Sequence, residues 1–267
     1  MHQSWKAFCR TLASTLNPRS ALALHRRSTR LASIRLPGYP GQFKLRTGTS
    51  DAHLLRTLVL YGELPEYRIP IDIEPRVILD IGANIGAATV VFARRYPDAQ
   101  IYAFEPQPEN YELLVHNAGQ FPHVTPVPYG LGERTETLTY YRSNDPRNFG
   151  GGGFCCGEGS EHLATGSLPV LSTSDALMRY NITEVDLVKI DAEGAEYAVF
   201  KAFPPAVLAN VKVIVGECHG SETHDGTLGL LTPHFNLDVK QRGNCTHFTV
   251  INKQLSVESS GRAVSQA

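Results

Sequence analysis

Four residues after a short β-branched run have the types and spacing of a loop that binds a small molecule: Asp80, Gly82, Asn84 and Gly86. The run before them is typical of a buried strand, and a helix pattern follows them. A glycine at 82 can adopt positive φ and let a ligand approach the backbone, and a glycine at 86 lets helix and strand pack closely. The helix would present free N–H groups to a ligand. We call residues 80–86 the glycine loop.

A second carboxylate, Glu105, follows Asp80 by 25 residues, at the end of the next predicted strand, Gln100–Phe104. A carboxylate in this position can accept two hydrogen bonds from a ribose diol. The glycine loop and Glu105 together predict a site for an adenosine-containing cofactor.

The central residue of the glycine loop decides between cofactors. A dinucleotide fingerprint needs G-x-G-x-x-G, whereas this loop has Asn84 in the middle. The carboxylate of Asp80 would repel a pyrophosphate and attract an ammonium group. S-adenosylmethionine, with its cationic amino-acid tail, fits better. A nicotinamide-dependent oxidoreductase and a non-catalytic scaffold that kept the fold are the alternatives.

Strands and helices alternate along the body of the chain. This alternation predicts an α/β fold with a mostly parallel sheet and helices on both faces. In such sheets ligands bind at the carboxyl ends of the strands. The predicted strands are 76–80, Gln100–Phe104, Val124–Val127, 137–141, 185–190, 211–216, 235–240 and 248–252.

The 267 residues suit one globular domain with an extension, since 42% are hydrophobic and 19% are charged. Residues 1–50 hold nine Lys or Arg and no acid, whereas the remainder holds 16 basic and 26 acidic residues. We predict a basic arm over 1–40, helical or poorly ordered, a body over 41–255 and a tail over 256–267.

The basic arm has three interpretations. It fits an organelle transit peptide, a basic amphipathic helix that contacts an anionic membrane surface or docks on the body, or a solvated terminus. It lacks the apolar region of a secretory signal. The chain has no apolar run that approaches 18 residues, and its five cysteines show no C-x-x-C spacing. A cytoplasmic location is the default expectation, and the acidic body argues against a nucleic-acid substrate.

From about residue 48 to 252 the chain resembles the FkbM-type methyltransferases, a class I S-adenosylmethionine-dependent family. The resemblance implies a Rossmann-like seven-stranded sheet with a reversed last strand. It also implies O-methylation of a hydroxyl on a small molecule, sugar or glycolipid-type acceptor. The motifs that carry it are 77–86 (VILDIGANIG), 104–111 (FEPQPENY), 143–150 (SNDPRNFG) and 185–196 (VDLVKIDAEGAE).

The resemblance and the predicted positions assign the cofactor-binding residues. The four named residues of the glycine loop hold the methionine moiety, and Thr89 lies one helical turn further. Glu105 holds the ribose hydroxyls. The backbone of Gly130 and Leu131 approaches the adenine.

Three residues at the ends of later strands are candidates for catalysis, because an acceptor hydroxyl must lose its proton. Asp191 or Glu193 would act as general base or bind the hydroxyl, and His219 titrates near neutrality. The three could also hold a divalent metal ion such as Mg²⁺. Acids after a strand are often helix caps, so we expect no metal. Lys189 shares a strand face with Asp191, and we expect it to pair with an acid.

Asn144 and Asn148 precede a run of four glycines over 150–153. Long loops of this kind are often functional, so we predict that these residues contact the substrate.

Overall fold

A seven-stranded sheet organises the molecule. The computed structural model describes residues 2–61, 64, 67–154, 162–242 and 245–255. The helices in these ranges are α1 (His2–Thr15), α2 (Pro18–Leu24), α3 (Ser50–Tyr61), α4 (Ala87–Arg95), α5 (Pro108–Ala118), α6 (Thr173–Arg179), α7 (Glu196–Lys201), α8 (Pro205–Leu208) and α9 (Ser221–Leu231). The strands there are β1 (Leu31–Ile34), β2 (Phe43–Arg46), β3 (Val77–Ile81), β4 (Gln100–Phe104), β5 (Val124–Val127), β6 (Gly130–Gly132), β7 (Glu136–Ser143), β8 (His162–Ser172), β9 (Leu187–Ile190), β10 (Val213–His219), β11 (Phe235–Arg242) and β12 (Cys245–Asn252).

The large sheet has the strand order β11-β12-β10-β9-β3-β4-β5. Its strands from β10 to β5 pair in parallel, and β12 runs antiparallel to both β10 and β11. The predicted mostly parallel sheet with a reversed last strand is therefore confirmed. Two smaller sheets have the orders β6-β8-β7 and β1-β2.

Helices cover both faces of the large sheet. Leu55 of α3, Val90 of α4 and Leu114 of α5 belong to one cluster of buried residues. Leu177 of α6 and Phe200 of α7 belong to a second cluster on the opposite face. Because both faces are covered, polar side chains can meet solvent mainly at the strand ends, where parallel sheets bind their ligands.

Within the described residues, four strands were not predicted from the sequence: β1, β2, β6 and β8. β8 pairs with both β6 and β7. The strand predicted over 211–216 begins at Val213 and continues to His219. It continues because Glu217 and His219 pair with His247 and Cys245 of β12.

The N-terminal residues form regular structure that packs on the body. β1 pairs with β2 across residue 40, where we placed the end of the basic arm. Ala21 and Leu24 of α2 and Ile34 of β1 are at most 1% exposed. The boundary at residue 40 stays a prediction, and the tail over 256–267 lies outside the described residues. No described helix is both long and apolar enough to cross a bilayer.

A buried ion pair joins the N-terminal segment to the rest of the fold. Arg46 of β2 lies 2.7 Å from the carboxylate of Asp51 on α3, whose side chain is fully buried. The same guanidinium donates to Asn110 on α5 at 2.6 Å and lies over the ring of Phe149. Arg46 therefore links β2, α3, α5 and the loop that carries Phe149.

We expect Asp51→Asn to lower the free energy of unfolding by about 3–5 kcal/mol, because it leaves the buried Arg46 guanidinium without its counter-charge. Urea unfolding followed by circular dichroism measures the change. Asp145→Asn is the control, since it removes a carboxylate from a solvent-exposed pair with Arg147 and should leave the urea midpoint unchanged. Equal effects of the two substitutions would contradict the assignment.

Candidate active site

A cavity of about 390 Å³ opens at the carboxyl ends of β3, β4, β9 and β10. This is the position where parallel α/β sheets bind their ligands, and the volume lies within the usual range for small-molecule sites. Ser50 and His53 of α3 and also Tyr67 line the cavity. The glycines over 150–153 line it as well.

The structure places most of the predicted site residues on this cavity and the rest around it. Those that line the cavity are Gly82, Asn84, Glu105, Gly130, Leu131, Asn148, Asp191 and Glu193. Those that do not line it are Asp80, Gly86, Thr89, Asn144 and His219.

Asp80 lies behind the glycine loop and not on the cavity wall. Its side chain is fully buried, lies 3.3 Å from Nζ of Lys189 and accepts a 2.6 Å hydrogen bond from Thr89. Nζ of Lys189 also donates to the carbonyl of Gly82 at 2.7 Å. The prediction that Lys189 pairs with an acid is confirmed. Asp80 therefore shapes the loop from behind, and its contact with the methionine moiety stays a prediction.

The backbone of the glycine loop depends on residues with positive φ. Gly82 has φ +74°, and a β-carbon there would overlap the carbonyl oxygen of Asp191. Gly86 has φ +85°, and a β-carbon there would lie 3.0 Å from Leu114 of α5. Gly82 therefore brings the loop against the end of β9, and Gly86 has the packing role that the sequence suggested.

Glu105 presents a carboxylate to the cavity from the end of β4. Its two oxygens accept the backbone N–H groups of Asn84 and Gln107, each at 2.9 Å. Burial raises the pKa of Glu105 to about 7, and these two N–H groups oppose that rise. Each oxygen keeps a lone pair with which it could accept a hydroxyl of a ligand.

Tyr67 is a site residue that sequence analysis missed. Its hydroxyl donates a 2.7 Å hydrogen bond to Asp191, and its ring lies 5.0 Å from Nζ of Lys189. The two hydrogen-bonded residues are 124 positions apart, and no motif surrounds Tyr67. No signal in the sequence could have linked them.

Glu196 organises the turn after β9. It is fully buried, and its carboxylate accepts the backbone N–H groups of Ala192 and Gly194 at 3.1–3.2 Å. It also pairs with Nδ1 of His219 at 3.0 Å. This pairing leaves Nε2 of His219 facing the carboxylates of the cavity. Nε2 lies 3.6 Å from Glu193 and 3.9 Å from Asp191.

The electrostatics of this cluster give Glu193 and His219 different roles. Burial alone would lower the pKa of His219, but Cys245, Glu196 and Glu193 outweigh burial and raise it. An imidazole with a raised pKa is a cation at neutral pH and a poor base. Burial and the neighbouring charge of Asp191 raise the pKa of Glu193 to about 8. The structure therefore favours Glu193 over His219 as the group that accepts a proton.

The same cluster contains the donor atoms that a metal site would use. Among the described residues, Asp191, Glu193 and His219 offer ligand atoms within 4.8 Å of one another, as do Glu217, His219 and Cys245. A protonated His219 supplies positive charge among these carboxylates without an ion. The expectation of a metal-free reaction stays a prediction.

The two predicted substrate residues border two neighbouring cavities. Asn148 lines the 390 Å³ cavity, and its side chain accepts the backbone N–H of Gly151 at 3.0 Å. Asn144 lines a second cavity of about 340 Å³, whose wall shares Tyr140, Asn148 and Gly152 with the first. The two cavities are therefore separated only by these shared residues.

Comparison with known proteins identifies the family. The family model described as the methyltransferase FkbM domain matches residues 80–243. The chain belongs to this family. Membership of the FkbM family fits the Rossmann-like sheet with a reversed last strand, which is the class I methyltransferase fold. It leaves the nicotinamide-dependent alternative without support.

Two relatives match most of the chain. The hexuronic acid methyltransferase AglP of Haloferax volcanii is 27% identical over 235 residues, which cover 85% of this chain and 90% of that protein. The 2-O-methyltransferase NoeI of Sinorhizobium fredii is 25% identical over 210 residues, which cover 72% of this chain and 82% of that protein. Among solved structures, the FkbM methyltransferase of Methylobacillus flagellatus covers 92% of this chain and 59% of its own, with 12% identity and a TM-score of 0.47.

We expect Gly82→Ala to lower the free energy of unfolding by about 2 kcal/mol or more, since the new methyl group would displace the Asp191 carbonyl and strain a positive φ. Chemical denaturation measures the loss. Gly229→Ala is the matched control, because Gly229 lies in α9 with open space where the methyl group would be. That substitution should leave stability unchanged or raise it by up to about 1 kcal/mol. If Gly82→Ala left the free energy of unfolding unchanged, that result would contradict the close approach of the glycine loop to β9.

Proposed function

We propose that this protein transfers a methyl group from S-adenosylmethionine to a hydroxyl group of a carbohydrate-type acceptor. One observation carries the proposal: the carboxylates of Glu105, Asp191 and Glu193 line the same cavity as the glycine loop. The residues proposed for the cofactor and for proton transfer therefore border one cavity. Methyl transfer to oxygen requires both in close proximity.

The residues present fit this cofactor. Glu105 would accept hydrogen bonds from the ribose hydroxyls through its free lone pairs. Gly82 and Asn84 would border the methionine moiety, and Leu131 and Phe154 offer an apolar wall for the adenine. When bound, the cofactor supplies an electrophilic methyl group on a sulfonium, so the protein mainly has to position the acceptor and exclude water.

Glu193 is the proposed general base. It would take the proton of the acceptor hydroxyl as the oxygen gains the methyl group. Asp191 would hold the acceptor hydroxyl with one carboxylate oxygen while Tyr67 fixes the other. His219, charged and anchored by Glu196, would stabilise the ionised carboxylates, and no metal ion is required in this scheme.

The acceptor class is proposed from the relatives and the second cavity. AglP and NoeI are named as a hexuronic acid methyltransferase and a 2-O-methyltransferase. The second cavity offers hydrogen-bonding side chains of Arg142, Asn144 and Asn148 beside the first. Such groups suit a hydroxyl-rich ligand that extends beyond the reacting oxygen. No nucleic-acid acceptor is proposed.

The cofactor site is tested first by calorimetric titration with S-adenosylhomocysteine. We expect micromolar binding by the unmodified protein and none with NADH. Glu105→Gln should weaken binding roughly 10- to 100-fold, because hydrogen bonds from the ribose to a charged acceptor are lost. Glu112→Gln, an exposed change on the following helix α5, is the control and should bind normally. A folded protein that binds no S-adenosylhomocysteine would favour the non-catalytic scaffold.

The proton acceptor is tested by the pH dependence of methyl transfer to the best acceptor in a panel of hexuronosides and hexosides. Glu193 must be ionised to act, and its pKa is raised to about 8. We therefore expect the rate to be low at pH 6 and to rise through about pH 8.

Glu193→Gln should reduce the rate roughly 10²- to 10⁴-fold and abolish this rise. Glu184→Gln changes an exposed carboxylate close to β9 and should keep both the rate and the pH profile. A Glu193→Gln protein that retains the rise would show that another group takes the proton.

A further inference from the structure

Three leucines of the N-terminal segment are exposed among arginines. Leu16 is 79% exposed, Leu22 60% and Leu31 65%. On α2, Arg19 and Leu22 lie three residues apart on the solvent side, and the exposed Arg26 follows just after the helix ends. A group of exposed apolar side chains that is surrounded by charged residues marks an interaction surface more often than an isolated exposed side chain does.

The exposed residues of α2 and β1 lie side by side. Ser20 of α2 accepts the backbone N–H of Arg35 at 3.0 Å and contacts its carbonyl oxygen at 3.3 Å, which places the end of β1 against the start of α2. Leu24 of α2 and Ile34 of β1 are buried in the same cluster. The opposite sides of both elements therefore face solvent together. We define the arm face as Leu16, Arg19, Leu22, Arg26, Leu31 and Arg35.

The arm face has no nearby acid in its own segment. Lys6, Arg10, Arg27 and Arg30 are exposed in the same segment, and residues 1–50 contain no Asp or Glu. The first acid of the chain, Asp51, is buried and paired with Arg46. The surface therefore combines a strong positive charge with apolar side chains.

We propose that the arm face binds the surface of an anionic phospholipid bilayer. Arginines are attracted to anionic headgroups, while the three leucines can enter the acyl boundary. A nucleic acid would satisfy the arginines but would leave the leucines without a function. A second copy of this surface would bring like charges together. The bilayer is the partner that uses both features.

Docking in this way would bring the cavity close to the membrane. The backbone N–H of Thr47 donates to the carbonyl of Arg30 at 2.8 Å, and Ser50, three residues further, lines the cavity. A hydroxyl acceptor carried on a lipid would be presented at this place. That last step rests on the proposed function, whereas bilayer binding does not.

Flotation of the full chain with vesicles tests the proposal. We expect binding to vesicles of 70% phosphatidylcholine and 30% phosphatidylglycerol, weaker binding at 0.5 M NaCl, and little binding to pure phosphatidylcholine. Arg19→Gln/Arg26→Gln/Arg35→Gln should lower the partition coefficient roughly 100-fold, from about fivefold per charge. Leu22→Ser/Leu31→Ser should lower it roughly tenfold or more.

Matched variants control for charge and exposure. Arg76→Gln/Arg134→Gln/Lys240→Gln removes three exposed cations of the body, and Leu163→Ser/Met178→Ser removes two exposed apolar side chains elsewhere. Both should bind vesicles like the unmodified protein. All variants are checked by circular dichroism and by titration with S-adenosylhomocysteine, so loss of the cofactor site is distinguished from loss of membrane binding.

Three results would overturn the proposal. The first is equal binding to neutral and anionic vesicles. The second is unchanged binding by the leucine variant. The third is tighter binding to an RNA or DNA oligonucleotide than to anionic vesicles, with no effect of the leucine substitutions, which would assign the arm face to nucleic acid.

Discussion

The buried pair of Asp80 and Lys189 is the interaction on which the geometry of the site depends. The two residues are direct partners across β3 and β9, so their charges meet inside the sheet. Burying both charges costs desolvation energy that their attraction only partly returns, and the pair is therefore weak evidence for stability. The pair instead determines where the neighbouring parts of the site lie. Because Lys189 also holds the carbonyl of Gly82, one ammonium group fixes the glycine loop relative to the end of β9. The same contact therefore fixes the glycine loop relative to the turn after β9, which carries Asp191 and Glu193.

The carboxylates around His219 outnumber the single positive charge that its imidazole can supply. Asp191, Glu193, Glu196 and Glu217 all lie around a single imidazole, that of His219. The carboxylate of Glu196 accepts two backbone N–H groups and bonds to the imidazole, so it holds the ring in one orientation. One positive ring cannot compensate every carboxylate in a buried setting, so the one with the least favourable surroundings gains affinity for a proton. Glu193 is that residue, and its carboxylate lies 3.6 Å from Nε2 of His219. The arrangement raises the proton affinity of Glu193, the residue proposed as the general base.

The sequence predicted the parts of the site that local pattern determines. The glycine loop and Glu105 follow strands with clear apolar runs, and the pairing of Lys189 follows from strand periodicity. The direction in which the Asp80 side chain points could not be predicted, because a carboxylate at a strand end can point toward a ligand or into the sheet. Tyr67 was missed because its contact with Asp191 joins distant segments. The surroundings of His219 could not be predicted, because β10 continues to it through pairing with β12, which places the ring beside Glu196. Tertiary contacts decided each of these cases.

The N-terminal segment and the site are mechanically connected. Arg46 at the end of β2 bonds to Asp51 and Asn110, and its guanidinium covers the ring of Phe149. The backbone N–H of Phe149 in turn bonds to Ser50, which lines the cavity. A surface that orients β1 therefore also orients β2 and, through Arg46, the loop that borders both cavities. Since these contacts are buried or hydrogen-bonded, a displacement of the arm could not occur without breaking them. The stretch that sequence composition sets apart, residues 1–50, is therefore joined by these contacts to the cavity, which its last residue, Ser50, lines.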